Sequence, residues 1–169
     1  GMSLVPEERK RTGIFPISSV ASNLTIASLW RRLQRGVTIA NKEEEAVVAS
    51  TIGNLSIKVS SPEVEIQALS GGNQQKVVIG KMLATHPKVI LLDEPSRGID
   101  IGAKAEVFRL LAENARQGLA VIYSTSEVGE CLSIAHRIVV MSKGRISAVF
   151  DSSVSKERIM AASGESLVA

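Results

Sequence analysis

An α/β fold is predicted by three features of the sequence. After residue 88, short apolar runs alternate with stretches of helical periodicity, the order produced by a parallel sheet with crossover helices. One run, Val89-Ile90-Leu91-Leu92, is continuously apolar, as expected of a strand buried on both faces. The 169 residues are 44% hydrophobic and 22% charged, the balance of a globular chain with a core of its own. With only 3% aromatic residues, that core has to be built from Val, Ile, Leu, Ala and Met.

Taken in order, Gly1 ahead of Met2 looks like a cloning remnant, so residues 1–4 are set aside. Helical periodicity runs over about 17–34, 42–54, 70–86, 102–116, 126–134 and 154–162. Strand-like runs cover Val89–Leu92, Leu119–Ser124, Arg137–Met141 and Ile146–Phe150, with Ser142-Lys143-Gly144 reading as a hairpin turn. The composition changes at His86-Pro87, which divides a mostly helical lobe, 5–88, from an α/β core portion, 89–169. Internal repeats and low-complexity tracts are absent.

Composition also narrows the function classes. No apolar run approaches the ~20 residues of a membrane-spanning helix, and the N-terminus has no signal-peptide core. A single cysteine, Cys131, excludes an internal disulfide framework. The formal charge of +3 is unevenly placed: residues 1–35 carry Arg9, Lys10, Arg11, Arg31, Arg32 and Arg35 against Glu7 and Glu8. That basic segment is either a solvated face or a contact for phosphates, and no interleaved aromatics favour nucleic acid.

Two stretches carry chemistry. Val89-Ile90-Leu91-Leu92 runs into Asp93-Glu94-Pro95, placing two carboxylates at the C-terminal end of a strand, the edge where open α/β sheets bind ligands. Adjacent acids there suit a nucleotide site, one holding Mg²⁺ and the other orienting the attacking water, though an acidic turn after a strand is the plainer alternative. Leu69-Ser70-Gly71-Gly72-Asn73-Gln74-Gln75-Lys76 opens a helix that continues through Val78, Ile79, Met82 and Leu83. Ser70 is a good N-cap, and the glycines bare the backbone where free amides and the helix dipole favour an anion. A simple capped helix with a flexible entry is the alternative for Ser-Gly-Gly taken alone.

The order LSGGNQQKV followed by VILLDEPSRGID resembles the signature motif, Walker B strand and D-loop of an ABC transporter ATPase. Ser96–Lys104 (SRGIDIGAK) and Val5–Gly13 (VPEERKRTG) are similar to the second nucleotide-binding domain of bacterial importers of the ribose, galactose, xylose and arabinose type. The resemblance covers nearly all of the chain after Leu4. It implies a P-loop NTPase fold, here partial: no G-x-x-x-x-G-K-[ST] loop is present, and the nearest pair, Gly80-Lys81, is followed by Met82 within a helix. The chain is therefore expected to start after the Walker A strand and loop. In that fold the missing strand lies between Leu119–Ser124 and Arg137–Met141, so those two strands are expected to pair directly or to offer an edge to another molecule.

The resemblance assigns roles to individual residues. Leu69, Ser70, Gly71, Gly72 and Gln74 belong to the signature offered to the γ-phosphate of a facing site. Asp93 is the Mg²⁺-linked acid, Glu94 the catalytic carboxylate and Asp100 the D-loop acid. Glu7 stands where relatives carry the Q-loop glutamine, and Ser126 where active members carry the switch histidine. A serine cannot replace an imidazole beside the γ-phosphate, which implies a weak site of its own. ATP and Mg²⁺ are the implied cofactors of the full-length protein. Its implied partners are the first nucleotide-binding domain of the same subunit, a membrane permease and, indirectly, a periplasmic sugar-binding protein. The implied location is peripheral, on the cytoplasmic face of the bacterial inner membrane. This chain alone is expected to be inactive. An ABC ATPase acting with nucleic acid and a stand-alone regulatory module are the competing readings; the sugar-group details disfavour the first, and the retained Asp93-Glu94 disfavours the second. His86 and His136 lack a third ligand for a metal, Cys131 reads as core, and Trp30 reads as packing or as a partner contact.

Overall fold

A computed structural model of the chain describes residues 1–29 and 41–164, with no side-chain description for Asn41. Trp30, Arg31, Arg32 and Arg35, and with them residues 30–34 of the helix expected over 17–34, lie outside the described residues. The chain divides into two compact units, Gly1–Ser124 and Thr125–Ala169. The composition step at His86-Pro87 falls inside the first unit, because the strand that follows it is hydrogen-bonded to strands on both sides.

The sheet of the first unit has three parallel strands in the order β1 (Met2–Val5), β2 (Val89–Asp93), β3 (Ala120–Ser124), with Leu4 beside Leu91 and Leu91 beside Ile122. Residues 2–4, set aside from the sequence, are thus an integral strand: a four-residue run carries too little periodicity to be read without its partner β2. One face of this sheet is covered. Val5, Ile90 and Leu92 are fully buried, Ser3 Oγ lies 2.8 Å from Thr85 Oγ1, and Tyr123 meets Phe108 edge-to-face at 5.7 Å. The opposite face, with Met2, Leu4 and Ile122, is exposed, so β2 is buried on one face and not on both as its continuous apolar run suggested.

The helices of this unit are arranged around one of their number. Ser19 accepts from the Ser22 amide to cap α1 (Val20–Thr25), which tightens into a 3₁₀ turn over Ile26–Ser28. Helix α2 runs over Asn41–Asn54. Helix α3, Gly71–Leu83, packs against α1 and β1, and its residues 77–79 are all fully buried. A helix apolar or buried all round belongs in a core and not at a surface. Gly80 lets its neighbours approach: a Cβ there would lie 2.7 Å from Leu55 Cδ1 and 2.8 Å from Thr51 Cγ2. Helix α4 (Ile101–Arg116) is amphipathic instead, burying the stripe Val107, Leu110 and Leu111. Between β1 and α1, residues Arg9–Gly13 make a single π-helical turn.

The second unit holds α5 (Val128–Ile134), the antiparallel hairpin β4 (Arg137–Ser142) and β5 (Arg145–Asp151), and α6 (Lys156–Ser163). The hairpin turn forms at the expected place, with Lys143 at φ 49° and Gly144 at φ 75°, the double positive φ of a two-residue loop matched to strand twist. Ile138, Val140, Val154 and Ile159 make its core, with Cys131, Leu132 and Phe150 packed around them. Strands β3 and β4 do not pair, so the direct rearranged pairing expected from the sequence does not occur; the three-stranded and two-stranded sheets are separate.

Packing makes two predictions, both measured by urea unfolding. Ile90→Ala empties a fully buried site on the central strand and should cost about 2–5 kcal/mol. Gly80→Val forces a branched side chain between α2 and α3 and should cost about 1–3 kcal/mol; an unchanged midpoint would show that the helices do not meet as closely as described.

Candidate functional site

The start of α3 is built by the segment ahead of it. Residues 16–21 and 62–67 run alongside one another, with Val20 N donating to Val64 O at 2.9 Å and Ile66 N to Ser18 O at 3.1 Å. Buried Ile66 anchors a short 3₁₀ turn, after which Leu69 is extended and Ser70 is exposed. Ser70 Oγ accepts from the Asn73 amide at 3.4 Å and from Asn73 Nδ2 at 3.0 Å, while Asn73 Oδ1 receives the Lys58 amide at 2.9 Å. The amides of Gly71 and Gly72 precede the first intrahelical bond, which is Gln74 N to Ser70 O at 2.9 Å. Gln74 is not turned to that opening. It is buried, and its Nε2 donates to Leu69 O at 3.0 Å and Ile66 O at 3.3 Å. It therefore braces the segment leading into α3.

The glycines have a steric reason to be glycines. A Cβ on Gly71 would lie 2.8 Å from Arg9 Nη2 and 3.1 Å from Gly98 O, and one on Gly72 would lie 2.4 Å from Ala103 Cβ. The start of α3 is thus pressed against the turn that follows the acidic pair and against the first turn of α4. Asp100 lies in the same place. Its Oδ1 caps α4 by accepting from Ala103 N at 2.9 Å, and its Oδ2 would stand 4.0 Å from a Gly72 Cβ.

Asp93 ends β2 in an exposed position, and Glu94 leaves the strand with φ 42°, a left-handed conformation that residues other than glycine adopt uncommonly and under restraint. The restraint is visible: Glu94 N donates to Ser124 O at 2.9 Å, Arg97 N donates to Glu94 O at 3.0 Å, and Pro95 and Ser96 are buried. The two carboxylates are therefore delivered by a fixed turn at the C-terminal end of the central strand. Glu7 pairs with Arg97 of this turn. Among the described residues no three His, Cys, Asp or Glu side chains converge on a metal position. Asp93 would meet Mg²⁺ as a single carboxylate, which is how that ion is held when phosphate oxygens and water complete its shell.

Both buried lysines of α3 find partners inside, whereas Gln74 Oε1 and Gln75 Nε2 have none among the described residues. Lys76 donates to Ser56 O at 2.9 Å and pairs with Glu106 of α4. That hydrogen bond and charge hold the Glu106 carboxyl below the usual carboxylate range. Lys81 donates to Gly13 O and lies 6.0 Å from the Phe15 ring centroid; burial lowers its pKa. Ser126 belongs to the second unit, exposed in the loop where Glu127 N donates to Thr125 Oγ1 at 3.0 Å.

Two of the sequence-predicted site segments are thus brought together within the first unit, with Gly71 against Gly98, and Gly72 against Ala103 and near Asp100. Sequence reasoning missed Arg9, counted only as part of a basic segment. Lys10 and Arg11 are exposed as a solvated face requires, but Arg9 is buried. Its partners lie 88 and 89 residues away, so no local pattern marks it.

The helix start, the two acids at the end of the central parallel strand and the turn that reaches from the acids to that helix lie together within the first unit. The family model described as "ABC transporter" matches residues 2–97, over half of the chain, and the chain belongs to that family. It is 42% identical over 160 residues to the xylose import ATP-binding protein XylG of Histophilus somni, covering 94% of this chain and 32% of that protein. It is 47% identical over 147 residues to the arabinose import ATP-binding protein AraG of Pectobacterium atrosepticum, covering 87% of this chain and 29% of that one. The chain therefore spans about a third of the length of these relatives, whose names place them in sugar import. Among solved structures, the ATP-binding cassette MJ0796, described as dimeric and bound to ADP and Pi, superposes with a TM-score of 0.76. That match covers 91% of this chain and 64% of the cassette at 20% identity, a likeness of fold alone. The fold is a partial ABC ATPase fold of the α/β class, as the sequence implied.

Two predictions follow from this geometry. Gly72→Ala should lower stability by about 1–3 kcal/mol through the Ala103 clash, and Gly72→Ala with Ala103→Gly should recover most of it; additive losses in urea melts would contradict the contact. Because the Glu106 pKa is lowered in the folded state, its contribution is present above about pH 4.3 and is lost as pH falls through the lowered folded value. Urea midpoints of wild type and Glu106→Gln should therefore differ at neutral pH and converge in acid. A constant difference across the range would exclude the linkage.

Proposed function

We propose that this chain is part of the ATP-hydrolysing subunit that powers sugar import by an ABC transporter, and that its main contribution is the signature Leu69–Gly72, offered to a nucleotide site on a facing domain. The observation that carries the reading is the start of α3. Two glycine amides with no intrahelical acceptor sit behind an exposed Ser70, at the positive end of a thirteen-residue helix, a natural seat for a terminal phosphate. In the complete protein ATP and Mg²⁺ are the cofactors. Asp93 takes the metal-linked role, and Glu94, fixed by its turn, orients the attacking water. Bound Mg²⁺ would supply charge neutralisation at the phosphates.

The site around Asp93 and Glu94 is the weaker of the pair in this reading, since Ser126 occupies the switch position and Glu7, tied to Arg97, the Q-loop position. The partners are a first nucleotide-binding domain of the same subunit, a membrane permease and, through it, a periplasmic sugar-binding protein, with the subunit on the cytoplasmic face of the inner membrane. No helix among the described residues is long and apolar enough to cross a membrane, consistent with a peripheral place.

The test replaces Ser70 with Asp. Gly71→Asp is a poorer probe, because any Cβ there meets Arg9 and Gly98 before its charge acts. Asp keeps the cap at an exposed position while setting a carboxylate against the phosphate. Repulsion at about 4 Å is worth roughly 4 kcal/mol at an effective dielectric near 20, so transport-coupled ATPase activity of the complete protein should fall about 100-fold or more. Glu94→Gln should cost less. Abolition by Glu94→Gln with Ser70→Asp near wild type would reverse the assignment. The 169-residue chain by itself, which has no G-x-x-x-x-G-K-[ST] loop, should bind Mg-ATP poorly; micromolar affinity in a calorimetric titration would contradict this.

A further inference from the structure

Arg9 is only 9% exposed, yet no carboxylate pairs with it among the described residues. Its Nη1 donates to Arg97 O at 2.8 Å and its Nη2 to Gly98 O at 3.1 Å, while its buried Nε has no hydrogen-bond partner among those residues. Burial lowers its pKa, but a guanidinium stays charged at any physiological pH. An unneutralised buried cation is costly, and an apolar side chain of similar length would fill the volume at lower cost. Stability alone therefore does not account for it. What the guanidinium does is geometric. Its flat fork grips two successive carbonyls of the turn after Glu94, with Gly98 at φ 68°, while Nη2 is pressed against Gly71, the first residue of α3. Its own backbone is held in the π-helical turn Arg9–Gly13, and Gly13 O is gripped in turn by Lys81, near the other end of α3. The segment carrying Arg9 is thus fastened to α3 at both ends.

We propose that Arg9 is a positioning residue that locks the turn Arg97–Gly98 against the open start of α3, so that the signature amides and the D-loop are presented to the facing nucleotide site as one rigid surface. This rests on the role proposed above for the start of α3. Lysine cannot substitute, because one ammonium does not span two carbonyls in a fixed plane. Loss of the lock lets two phosphate-facing elements shift independently, and displacement on the scale of an ångström costs about 100-fold in rate.

The experiment uses the complete ATP-binding protein with its permease, as wild type, Arg9→Ala and Arg9→Lys. Three quantities are read: kcat and KM for ATP, rescue of activity by added guanidinium ion, and hydrogen exchange of the segments containing Gly71-Gly72 and Arg97–Asp100. Arg9→Ala should lose most of kcat with KM nearly unchanged and regain kcat with guanidinium but not with methylammonium. Exchange should rise in both segments while that of β2 stays at the wild-type level. Arg9→Lys should show the same pattern more mildly, and it carries the test if Arg9→Ala does not fold. Unchanged kcat and unchanged exchange would overturn the proposal. So would a loss that lysine repairs in full, or one that spreads over the whole unit, since either marks a merely structural cation. If the wild-type protein shows no transport-coupled ATPase activity, the function proposed above fails instead, and the local exchange of the two segments still decides whether Arg9 locks them.

Discussion

Burial of helix α3 on all sides is the constraint from which most of the first unit follows. From Gln74 to Lys81 every residue is buried, four of them polar. A buried amide or ammonium without a partner is costly, and partners for three of the four come from elsewhere in the chain, while Gln74 Oε1 and Gln75 Nε2 have none among the described residues. Gln74 fixes the carbonyls of Ile66 and Leu69, Lys76 reaches Ser56 and Glu106, and Lys81 reaches Gly13. These contacts determine where the segments before β2 lie, because little regular structure outside the helices holds them.

The same constraint relates the two motifs on which the proposed function rests. Signature and Walker B strand are separated by some twenty residues of sequence, and nothing in their spacing says that the turn after Glu94 returns to touch Gly71 and Gly72. It does so because α3 and α4 pack with their first turns together, close enough that side chains are excluded at both glycines. Close approach of the neighbouring segments requires both glycines, and the proposed function adds a second demand, open amides for an anion. A substitution there confounds the two, whereas the exposed Ser70 separates them.

The strained backbone of Glu94 belongs to the same design. A left-handed residue at the end of a central strand persists when its neighbours over-determine it, here through the Ser124 carbonyl, the Arg97 amide and two buried residues in succession. The turn that results is held from outside by the Glu7–Arg97 pair and from inside by Arg9. The exposed pair is screened by solvent and contributes little, so the buried guanidinium is the stronger of the two restraints.

Much of this was legible in the residues themselves. The α/β class, the strand Val89–Leu92, the cap at Ser70, the hairpin turn at Lys143-Gly144 and the two motifs are local patterns, set by side-chain shape, backbone permissiveness and periodicity over a few neighbours. The resemblance carried by those motifs led to the family. Other features depend on residues far apart in sequence, and there local pattern has nothing to say. Strand β1 exists because β2 offers it a ladder some 87 residues away. The buried side of β2 is chosen by which face α3 and α4 cover, which a continuously apolar run cannot reveal. Gln74 reads as part of a ligand motif but is turned inward by the burial of its helix, and Arg9 reads as one charge in a basic run but is drawn inside by two carbonyls nearly ninety residues distant. Sequence determined which residues could be offered to a ligand; the packing of α3 decided which of them stay at its exposed start and which are turned inward, because burial is a property of the whole fold and not of any segment.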